Sequence, residues 1–157
     1  MKALLFLLPL LLSAAIYKEE PENFKPKLEV VGSFIEWDGK ILLLHRQDFK
    51  AQGNTWAIPG GKIDKNETPV QASLRETFEE TGYQLDNVTY LGFVYIKYEK
   101  YDFIYHMTMA KPNIDPSKVH INFKESKGFT WVTPTDAIRM ELMPDEEDCF
   151  RLIYNIN

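Results

Sequence analysis

The chain has 157 residues, a length typical of a single domain that can bury its own core. Hydrophobic residues make up 45% of the sequence and aromatic residues 13%, as in globular proteins. The formal net charge of −5 argues against a general nucleic-acid-binding surface, which would be basic, and the single cysteine, Cys149, excludes an intrachain disulfide.

The N-terminal segment, residues 1–15, is strongly apolar. Lys2 precedes an apolar run from Ala3 to Leu12, and Ser13-Ala14-Ala15 follows. This pattern is typical of a secretory signal peptide cleaved after Ala15, and the run is shorter than the ~20 apolar residues that span a bilayer. The alternatives are a mis-assigned start and an extra hydrophobic helix packed on the domain. We expect export if residues 1–15 are a cleaved signal and a cytoplasmic location otherwise, with no transmembrane span in the mature chain.

Residues 16–27, rich in Glu, Lys and Pro, are predicted to be a linker, and residues 28–157 the folded domain. The domain begins with two apolar stretches, Leu28–Trp37 and Lys40–Arg46, which predict strands. The dipeptide Asp38-Gly39 between them predicts a tight hairpin turn. A further short strand is predicted at Thr55–Ile58, and it leads into a glycine loop.

A helix is predicted from Pro69 to Thr81. Thr68 can cap its N-terminus, Gln71 completes a capping box, and Gly82 stands where a helix commonly ends. At about 100° per residue, one side of this helix collects the residues that we expect to face the core. These are Val70, Leu74, Thr77, Phe78 and Thr81.

The remaining sequence completes an α/β pattern. Val88–Tyr98 and Tyr101–Ala110 alternate in polarity and predict a strand pair joined through Glu99-Lys100, and Gly128–Thr133 predicts another strand. Helices are predicted at Pro134–Glu141 and Asp145–Tyr154, the second with three acidic residues at its positive N-terminal end. Together these elements predict a mixed β-sheet sandwiched between α-helices.

The other side of the first predicted helix carries Glu76, Glu79 and Glu80. Like charges three and four residues apart repel each other, so a soluble helix has little structural reason to collect them. A divalent cation would offset this repulsion, because hard cations bind several carboxylate oxygens. The alternative is a solvated acidic face, which is the commoner explanation of an isolated charge run. The adjoining Pro59-Gly60-Gly61 loop favours a metal site.

The segment from Gly61 to Tyr83 resembles the signature of the Nudix hydrolases. Gly61, five residues, Glu67, seven residues and then Arg75-Glu76-x-x-Glu79-Glu80-x-Gly82 match the signature at every charged and glycine position. The preceding Trp56–Lys62 is similar to the strand and loop that enter the family's motif. Thr77 and Tyr83 depart from the bulky aliphatic residues that the family prefers, at positions that serve packing. The resemblance is to MutT-like members, and it implies the Nudix fold and metal-dependent hydrolysis of a phosphoanhydride.

The resemblance also implies roles for individual residues. The predicted catalytic group is Glu76, Glu79 and Arg75, and the predicted ligands of Mg²⁺ or Mn²⁺ are Glu76, Glu79, Glu80 and the Gly60 carbonyl. Glu76 is either a ligand or the base that takes a proton from water. Because clustered carboxylates titrate as a group, the sequence does not identify which glutamate is the base. Arg75 and Glu67 are predicted to form an ion pair that ties the loop to the helix. Gly61, Glu67 and Gly82 are therefore predicted to be structural.

Three residues outside these positions also belong to the predicted site. Glu125 lies six residues before Trp131, the spacing at which MutT-like members carry an extra acidic residue, and it is a predicted metal ligand. Arg46, 13 residues before Pro59, could bind a phosphate through two N–H groups, and Lys62 would add positive charge nearby. For Glu125 and Arg46 the alternative is an ordinary exposed surface position.

The aromatic residues indicate their roles less specifically than the charged residues of the motif do. Tyr101, 18 residues after the motif, stands roughly where some members that act on diadenosine polyphosphates carry a tyrosine, so we predict that it binds substrate. Other aromatic residues could stack on a nucleobase, although most should belong to the sheet core. These are Trp37, Trp56, Tyr95, Tyr98, Phe103 and Tyr105. His45, His106 and His120 lack metal-ligand spacing.

The sequence thus predicts a pyrophosphohydrolase that cleaves a nucleoside diphosphate linked to another group, with a nucleoside triphosphate as the leading substrate. The alternatives are a diadenosine polyphosphate or ADP-ribose hydrolase and a non-catalytic nucleotide-sensing module. The sensing module would be expected to have lost a carboxylate of the motif, and none is lost. An RNA cap-like hydrolase is disfavoured by the acidic net charge. The expected partner is a small nucleotide, and a homodimer is a further expectation, because dimers are common in this family.

Overall fold

The computed structural model describes residues 15–98 and 101–157. The elements are β1 (Ala15–Tyr17), β2 (Pro26–Trp37), β3 (Lys40–Arg46), β4 (Trp56–Ala57), β5 (Gly60–Lys62), α1 (Pro69–Thr81), β6 (Thr89–Lys97), β7 (Asp102–Ala110), β8 (Ser126–Val132), α2 (Pro134–Ala137) and α3 (Glu146–Tyr154). Apart from Ala15, the predicted signal segment lies outside the described residues, and so does the predicted Glu99-Lys100 connection. Within the part of the chain that is described, no helix is long and apolar enough to cross a membrane.

The strands form one mixed sheet around the long strand β2. The order is β1-β6-β7-β2-β3-β4, with β5 paired to β2 and β8 paired to β3. β2 runs parallel to β7 and antiparallel to β3 and β5. The hairpin between β2 and β3 turns at Asp38 and Gly39, both with positive φ, as the sequence predicts. Because β2 holds β5 and β7, it also fixes the strand that carries Gly60 and Gly61.

Alternate residues of β2 and β3 belong to two separate hydrophobic cores. Phe34 and Leu43 pack on one face of the sheet together with Phe150 of α3. Ile35 and Leu44 pack on the opposite face, in a cluster that Leu74 of α1 joins. This alternation follows from the period of two along a strand. The sheet therefore lies between helices, which confirms the predicted α/β class with a mixed sheet between α-helices.

The termini of α1 agree with the sequence prediction. The Thr68 side chain accepts a hydrogen bond from the Gln71 N–H, and the Gln71 side chain accepts one from the Thr68 N–H. Gly82 ends the helix in the left-handed region, with φ of 74°, and its N–H donates to the Phe78 carbonyl. The helix that carries the carboxylates is thus fixed at both ends by its own sequence.

The buried face of α1 agrees with the prediction only in part. Thr77 and Thr81 are buried as predicted and Ser73 is buried as well, whereas Phe78, which the pattern assigns to the core, is 55% exposed. The Ser73 hydroxyl lies 2.6 Å from the hydroxyl of Ser33 on β2 and 2.6 Å from that of Thr108 on β7. Small hydroxyl side chains allow the helix to lie close to the sheet. The Ser73 hydroxyl is satisfied by these two contacts, whereas the buried Thr77 hydroxyl has no hydrogen-bond partner among the described residues. These contacts hold α1 against β2 and β7.

Two other expectations need correction. The predicted linker is shorter than residues 16–27, because Ile16 and Tyr17 pair with β6 and β2 already begins at Pro26. The predicted helix from Pro134 to Glu141 covers only Pro134–Ala137, and the chain then turns. Trp56 pairs with Leu142 just beyond this turn. The segment after α2 therefore contacts the β4 region instead of continuing as a helix.

We expect Thr68→Ala to lower the free energy of unfolding by about 1 kcal/mol, because it leaves the Gln71 N–H without its cap. Urea denaturation of the variant and the wild type measures this difference. Thr68→Ser, which keeps the hydroxyl oxygen, is the matched control and should recover most of the lost stability. Equal stability of all three proteins would show that the capping box contributes nothing.

Candidate active site

The site begins where α1 lies against the loop Pro59-Gly60-Gly61. At Gly61 an added Cβ would stand 2.4 Å from the Oε1 atom of Glu76, which is closer than real Cβ contacts allow. At Gly60 an added Cβ would stand 2.2 Å from the Val31 carbonyl oxygen of β2. Gly60 therefore requires glycine, because its close neighbour is backbone, whereas a side chain at Gly61 would displace the Glu76 carboxylate. Gly61 thus allows this carboxylate to lie directly on the backbone of β5.

Glu80 is the carboxylate most closely tied to this loop. Its Oε2 atom accepts a hydrogen bond of 3.0 Å from the Gly60 N–H. The pKa of Glu80 is raised to about 8, mainly by burial and also by the neighbouring carboxylates of Glu76 and Glu125, while the Gly60 hydrogen bond opposes the rise. Glu80 is thus buried next to other acidic side chains. A bound cation would reduce the repulsion between these carboxylates.

Arg75 organises the other carboxylates. Its Nε and Nη2 atoms donate to the two oxygens of Glu67 at 2.9 and 2.8 Å, and Nη2 also donates to the Lys62 carbonyl at 3.1 Å. The hydrogen bond from Arg75 lowers the pKa of Glu67. This two-point contact is the arrangement that was predicted to tie the loop to the helix.

The same guanidinium faces the remaining two acids of the motif. Nη1 of Arg75 donates to Glu76 at 2.6 Å and lies 3.6 Å from Glu79. The Glu76 side chain is 14% exposed, and burial raises its pKa, whereas the Glu79 side chain is 53% exposed. Glu76 is thereby held between Arg75 and Gly61, while Glu79 faces the solvent.

The carboxylates are close neighbours, but they do not converge on one point. Among the described residues, no three acidic, histidine or cysteine side chains are grouped as ligands of one metal ion. The reason is that Arg75 contacts Glu76 and Glu79 while Glu80 turns to the Gly60 N–H. The donor chemistry nevertheless fits a hard divalent cation, because Glu76, Glu79 and Glu80 present carboxylate oxygens within two turns of one helix.

A cleft of ≈ 280 Å³ opens beside this cluster. It brings together six of the predicted site residues, Arg46, Gly60, Gly61, Lys62, Glu80 and Tyr101. Arg46 donates two hydrogen bonds to the Ala51 carbonyl, at 3.2 and 2.9 Å, so it also holds the loop after β3. Glu125 does not line the cleft and pairs with Lys50 at 2.5 Å, although its charge acts on Glu80.

The cleft also contains two acids that the sequence prediction missed. Asp145 and Glu146 line it, and each residue is only 4% exposed. The Tyr98 hydroxyl donates to Asp145 at 2.8 Å, and the Ile58 N–H donates to Glu146 at 3.4 Å. Burial raises the pKa of both carboxyl groups. From sequence they were interpreted as charges at a helix start, and only the fold shows that this helix start closes the cleft.

The aromatic candidates divide between the cleft and the rest of the fold. Tyr98, Tyr101, Phe103 and Tyr105 line the cleft. Tyr95 packs edge-on against Phe24 with ring centroids 5.1 Å apart, Trp37 against Trp131 at 6.2 Å, and Trp56 stacks on His45 at 4.3 Å. The cleft therefore has one aromatic wall, contributed mainly by β7 and the residue that precedes the undescribed connection.

Comparison with known proteins agrees with this fold and motif. The NUDIX domain model matches residues 26–153. A MutT-like protein of Streptomyces ambofaciens is 31% identical over 126 residues, which are 78% of this chain and 76% of that protein. A CTP pyrophosphohydrolase of Escherichia coli is 30% identical over 118 residues, 74% of this chain and 84% of that protein. By contrast, the chain spans only 21% of a nucleoside triphosphate pyrophosphatase/Nudix hydrolase fusion protein of Bifidobacterium longum, at 27% identity.

A solved structure shows the same architecture. The crystal structure of a MutT protein from Methanosarcina mazei superposes with a TM-score of 0.73 at 24% sequence identity. The superposition covers 83% of this chain and 95% of that chain.

The raised pKa of Glu80 predicts a pH-dependent stability. Its pKa of about 8 in the fold exceeds the ordinary value of 4.5, so between these values the folded protein keeps a proton that the unfolded chain has released. Stability should therefore decrease as pH rises through this window, by at most about 1.4 kcal/mol per pH unit. Glu80→Gln removes this contribution.

Urea denaturation between pH 4.5 and pH 8.5 in the presence of a chelator measures the effect. The stability of the wild type relative to Glu80→Gln should fall as pH rises, and Glu147→Gln, which changes an exposed glutamate of α3, is the control. Parallel pH profiles of wild type and Glu80→Gln would show that Glu80 titrates normally.

Proposed function

Because the chain belongs to the Nudix hydrolase family, whose members act on nucleoside diphosphate derivatives, we propose that its substrate is a nucleoside triphosphate and its metal Mg²⁺ or Mn²⁺. The observation that carries this proposal is the position of Glu80, which joins the carboxylates of α1 to a cleft with an aromatic wall. A phosphate chain bound at the carboxylates would leave the nucleoside in that cleft.

The carboxylates supply the metal end of the proposed site. Glu76, Glu79 and Glu80, with the Gly60 carbonyl, would hold the cation, and Glu125 is close enough to act on the charge of Glu80. A bound divalent cation supplies positive charge to the phosphates and lowers the pKa of a coordinated water. For these residues to bind it, Arg75 would have to give up its contacts to Glu76 and Glu79 while keeping Glu67.

The reaction needs a proton acceptor near the phosphates. Water adds to phosphorus, the bridging oxygen leaves with the bonding electrons, and one proton of the water passes to a carboxylate. Glu76, held on Gly61, and Glu79, which faces solvent, are the two candidates for that role. Arg75 is adjacent to both, so its guanidinium can position the two carboxylates.

The other end of the cleft fits a nucleobase. Asp145 and Glu146 are buried hydrogen-bond acceptors that can receive the N–H groups on the edge of a base. Tyr98, Tyr101 and Phe103 offer ring faces for stacking. Arg46 and Lys62 line the same cleft and can contact the phosphates between the two ends.

We expect Glu79→Gln to remove most metal-dependent turnover, by about 100-fold or more in kcat, because the amide cannot accept a proton and is a weaker ligand. Phosphate and pyrophosphate release from nucleoside triphosphates measures the loss. Glu147→Gln on α3 is the matched control and should keep the wild-type rate. Thermal unfolding should be unchanged in both variants, since the Glu79 side chain is 53% exposed.

A substrate panel tests the proposed substrate class. We expect the wild type with Mg²⁺ to prefer nucleoside triphosphates over ADP-ribose. If ADP-ribose were the best substrate, the nucleoside triphosphate proposal would be wrong. Absence of turnover with every compound, together with nucleotide binding, would instead indicate a sensing module.

A further inference from the structure

Three polar side chains outside the cleft are joined by hydrogen bonds on the surface of the sheet. The Tyr90 hydroxyl of β6 lies 2.9 Å from Nδ1 of His106 on β7. Nε2 of the same imidazole lies 2.6 Å from a carboxylate oxygen of Glu29 on β2. None of the three residues lines the cleft. They therefore form a separate cluster, which the proposed hydrolysis does not use.

A β-bulge in β6 brings Tyr90 to this cluster. In a regular strand Tyr90 and Phe93, which are three residues apart, would point to opposite faces of the sheet. The register of β6 shifts between Tyr90 and Gly92, where Gly92 has a φ of 116°. Phe93 pairs directly with His106, whereas Tyr90 pairs with the residue two positions further along β7 and so lies on the same face. The extra residue of the bulge thus directs the Tyr90 hydroxyl to the imidazole.

The cluster is buried at its centre and open at its ends. His106 is 8% exposed, whereas Tyr90 is 43% exposed and the Glu29 side chain 52%. The Phe93 ring lies beside the imidazole, with ring centroids 5.6 Å apart. A buried imidazole needs hydrogen-bond partners, and satisfying His106 is the simplest explanation of the cluster. That explanation does not require one partner to be a tyrosine with nearly half of its surface open to solvent.

The chemistry of the three groups sets the direction of the hydrogen bonds around a neutral imidazole. A carboxylate oxygen can only accept, so Nε2 carries the proton that is donated to Glu29. Nδ1 then carries a lone pair and accepts the proton of the Tyr90 hydroxyl. This hydrogen bond uses the phenol proton and leaves the lone pairs of the phenol oxygen available. Carboxylate, imidazole and hydroxyl are thus in the order in which an acid orients a base and the base activates a nucleophile.

The phenol of Tyr90 does not ionise readily by itself. Burial raises its pKa, and the negative charge of Glu29 raises the pKa as well. The hydroxyl therefore keeps its proton at neutral pH. A reaction at its oxygen requires a base that removes this proton while the new bond forms, and His106 is the base in contact with the hydroxyl.

We propose that Tyr90 is a nucleophile that takes an acyl group from an activated acyl compound, with His106 as its general base and Glu29 as the positioning residue. The phenol oxygen forms a bond to the carbonyl carbon, and the bond between that carbon and the leaving group breaks with its electron pair. The phenol proton passes to Nδ1 of His106 and from there to the leaving group. The product is an acylated tyrosine.

The surroundings of the cluster favour an acyl donor over a phosphoryl donor. Phosphoryl groups carry negative charges that proteins bind with arginine, lysine or metal ions. Within the described part of the chain, the side-chain hydrogen bonds and ion pairs of the cluster include no lysine or arginine. The ring of Phe93 offers an apolar contact for an uncharged acyl group instead. The inference is independent of the proposed function, since no residue of the cluster belongs to the cleft.

Acetylation of the full-length protein by N-acetylimidazole, which transfers an acetyl group to tyrosine hydroxyls, tests the proposal. Peptide mass spectrometry measures the rate at each tyrosine. Tyr17 and Tyr101, which are 39% and 43% exposed, are internal controls for accessibility. Tyr90 should be acetylated about tenfold faster than either control, or more, because only Tyr90 has a general base in contact. The ratio should decrease in D2O, since proton transfer belongs to the slow step at Tyr90 alone.

Two variants separate the base from the positioning residue. His106→Gln keeps a hydrogen-bonding side chain but removes the base, so the rate at Tyr90 should fall to that of the control tyrosines and the D2O effect should be lost. Glu29→Gln keeps an oxygen that accepts from Nε2 but removes the charge, so it should slow Tyr90 less and retain the D2O effect. Glu147→Gln, which changes an exposed glutamate of α3, is the matched control and should change neither.

Each outcome decides for or against the proposal. Equal rates at Tyr90 and the control tyrosines of the wild type would overturn it. A rate at Tyr90 that stays high in His106→Gln, with thermal unfolding unchanged, would overturn it as well. If His106→Gln unfolded, the wild type would decide alone. A D2O effect confined to Tyr90 would then support the proposal, and an equal effect at all three tyrosines would contradict it.

Discussion

The close contact between α1 and the Gly60-Gly61 backbone is the constraint on which the rest of the site depends. It places the partly buried carboxylates of Glu76 and Glu80 against a strand, where each loses water that an ionised acid would otherwise bind. The fold offsets this cost locally with one backbone N–H for Glu80 and one guanidinium for Glu76. The helix can approach this closely because the strand has two glycines and because its own inner face has small hydroxyl side chains. The close packing of α1 and the position of its carboxylates therefore both require small residues at this interface.

The sequence predicted this interface in part. The cap at Thr68, the end at Gly82 and the pairing of Arg75 with Glu67 are local relations, separated by few residues, and a motif can encode them. The inner face of α1 was predicted less well. Helical periodicity marked Phe78 as buried, but a large side chain is excluded where the helix must lie close to β2. The hydrophobic pattern of the sequence does not show how close α1 lies to β2.

The residues that line the cleft were harder to predict from the sequence than those of α1. Asp145 and Glu146 lie more than 60 residues from the motif, in a context typical of an exposed helix start. Their burial depends on how α3 packs against the sheet and on contacts to Tyr98 and Ile58, which are long-range relations. The motif thus predicted the carboxylate end of the cleft, whereas the opposite end arises from tertiary structure.

The charge distribution of the cleft explains why a cation would serve binding as well as catalysis. Burial raises the pKa of Glu80, Asp145 and Glu146, and the guanidinium of Arg46 opposes that rise at all three. Arg46 therefore acts on the carboxyl group of α1 and on those at the start of α3 alike. A polyphosphate brings further negative charge into this acidic environment, in a protein whose net charge is already −5. Arg46 and Lys62 cannot neutralise such a ligand and the acids together. A divalent cation that entered with the phosphates would supply the missing positive charge, so nucleotide affinity and metal affinity should be coupled in this protein.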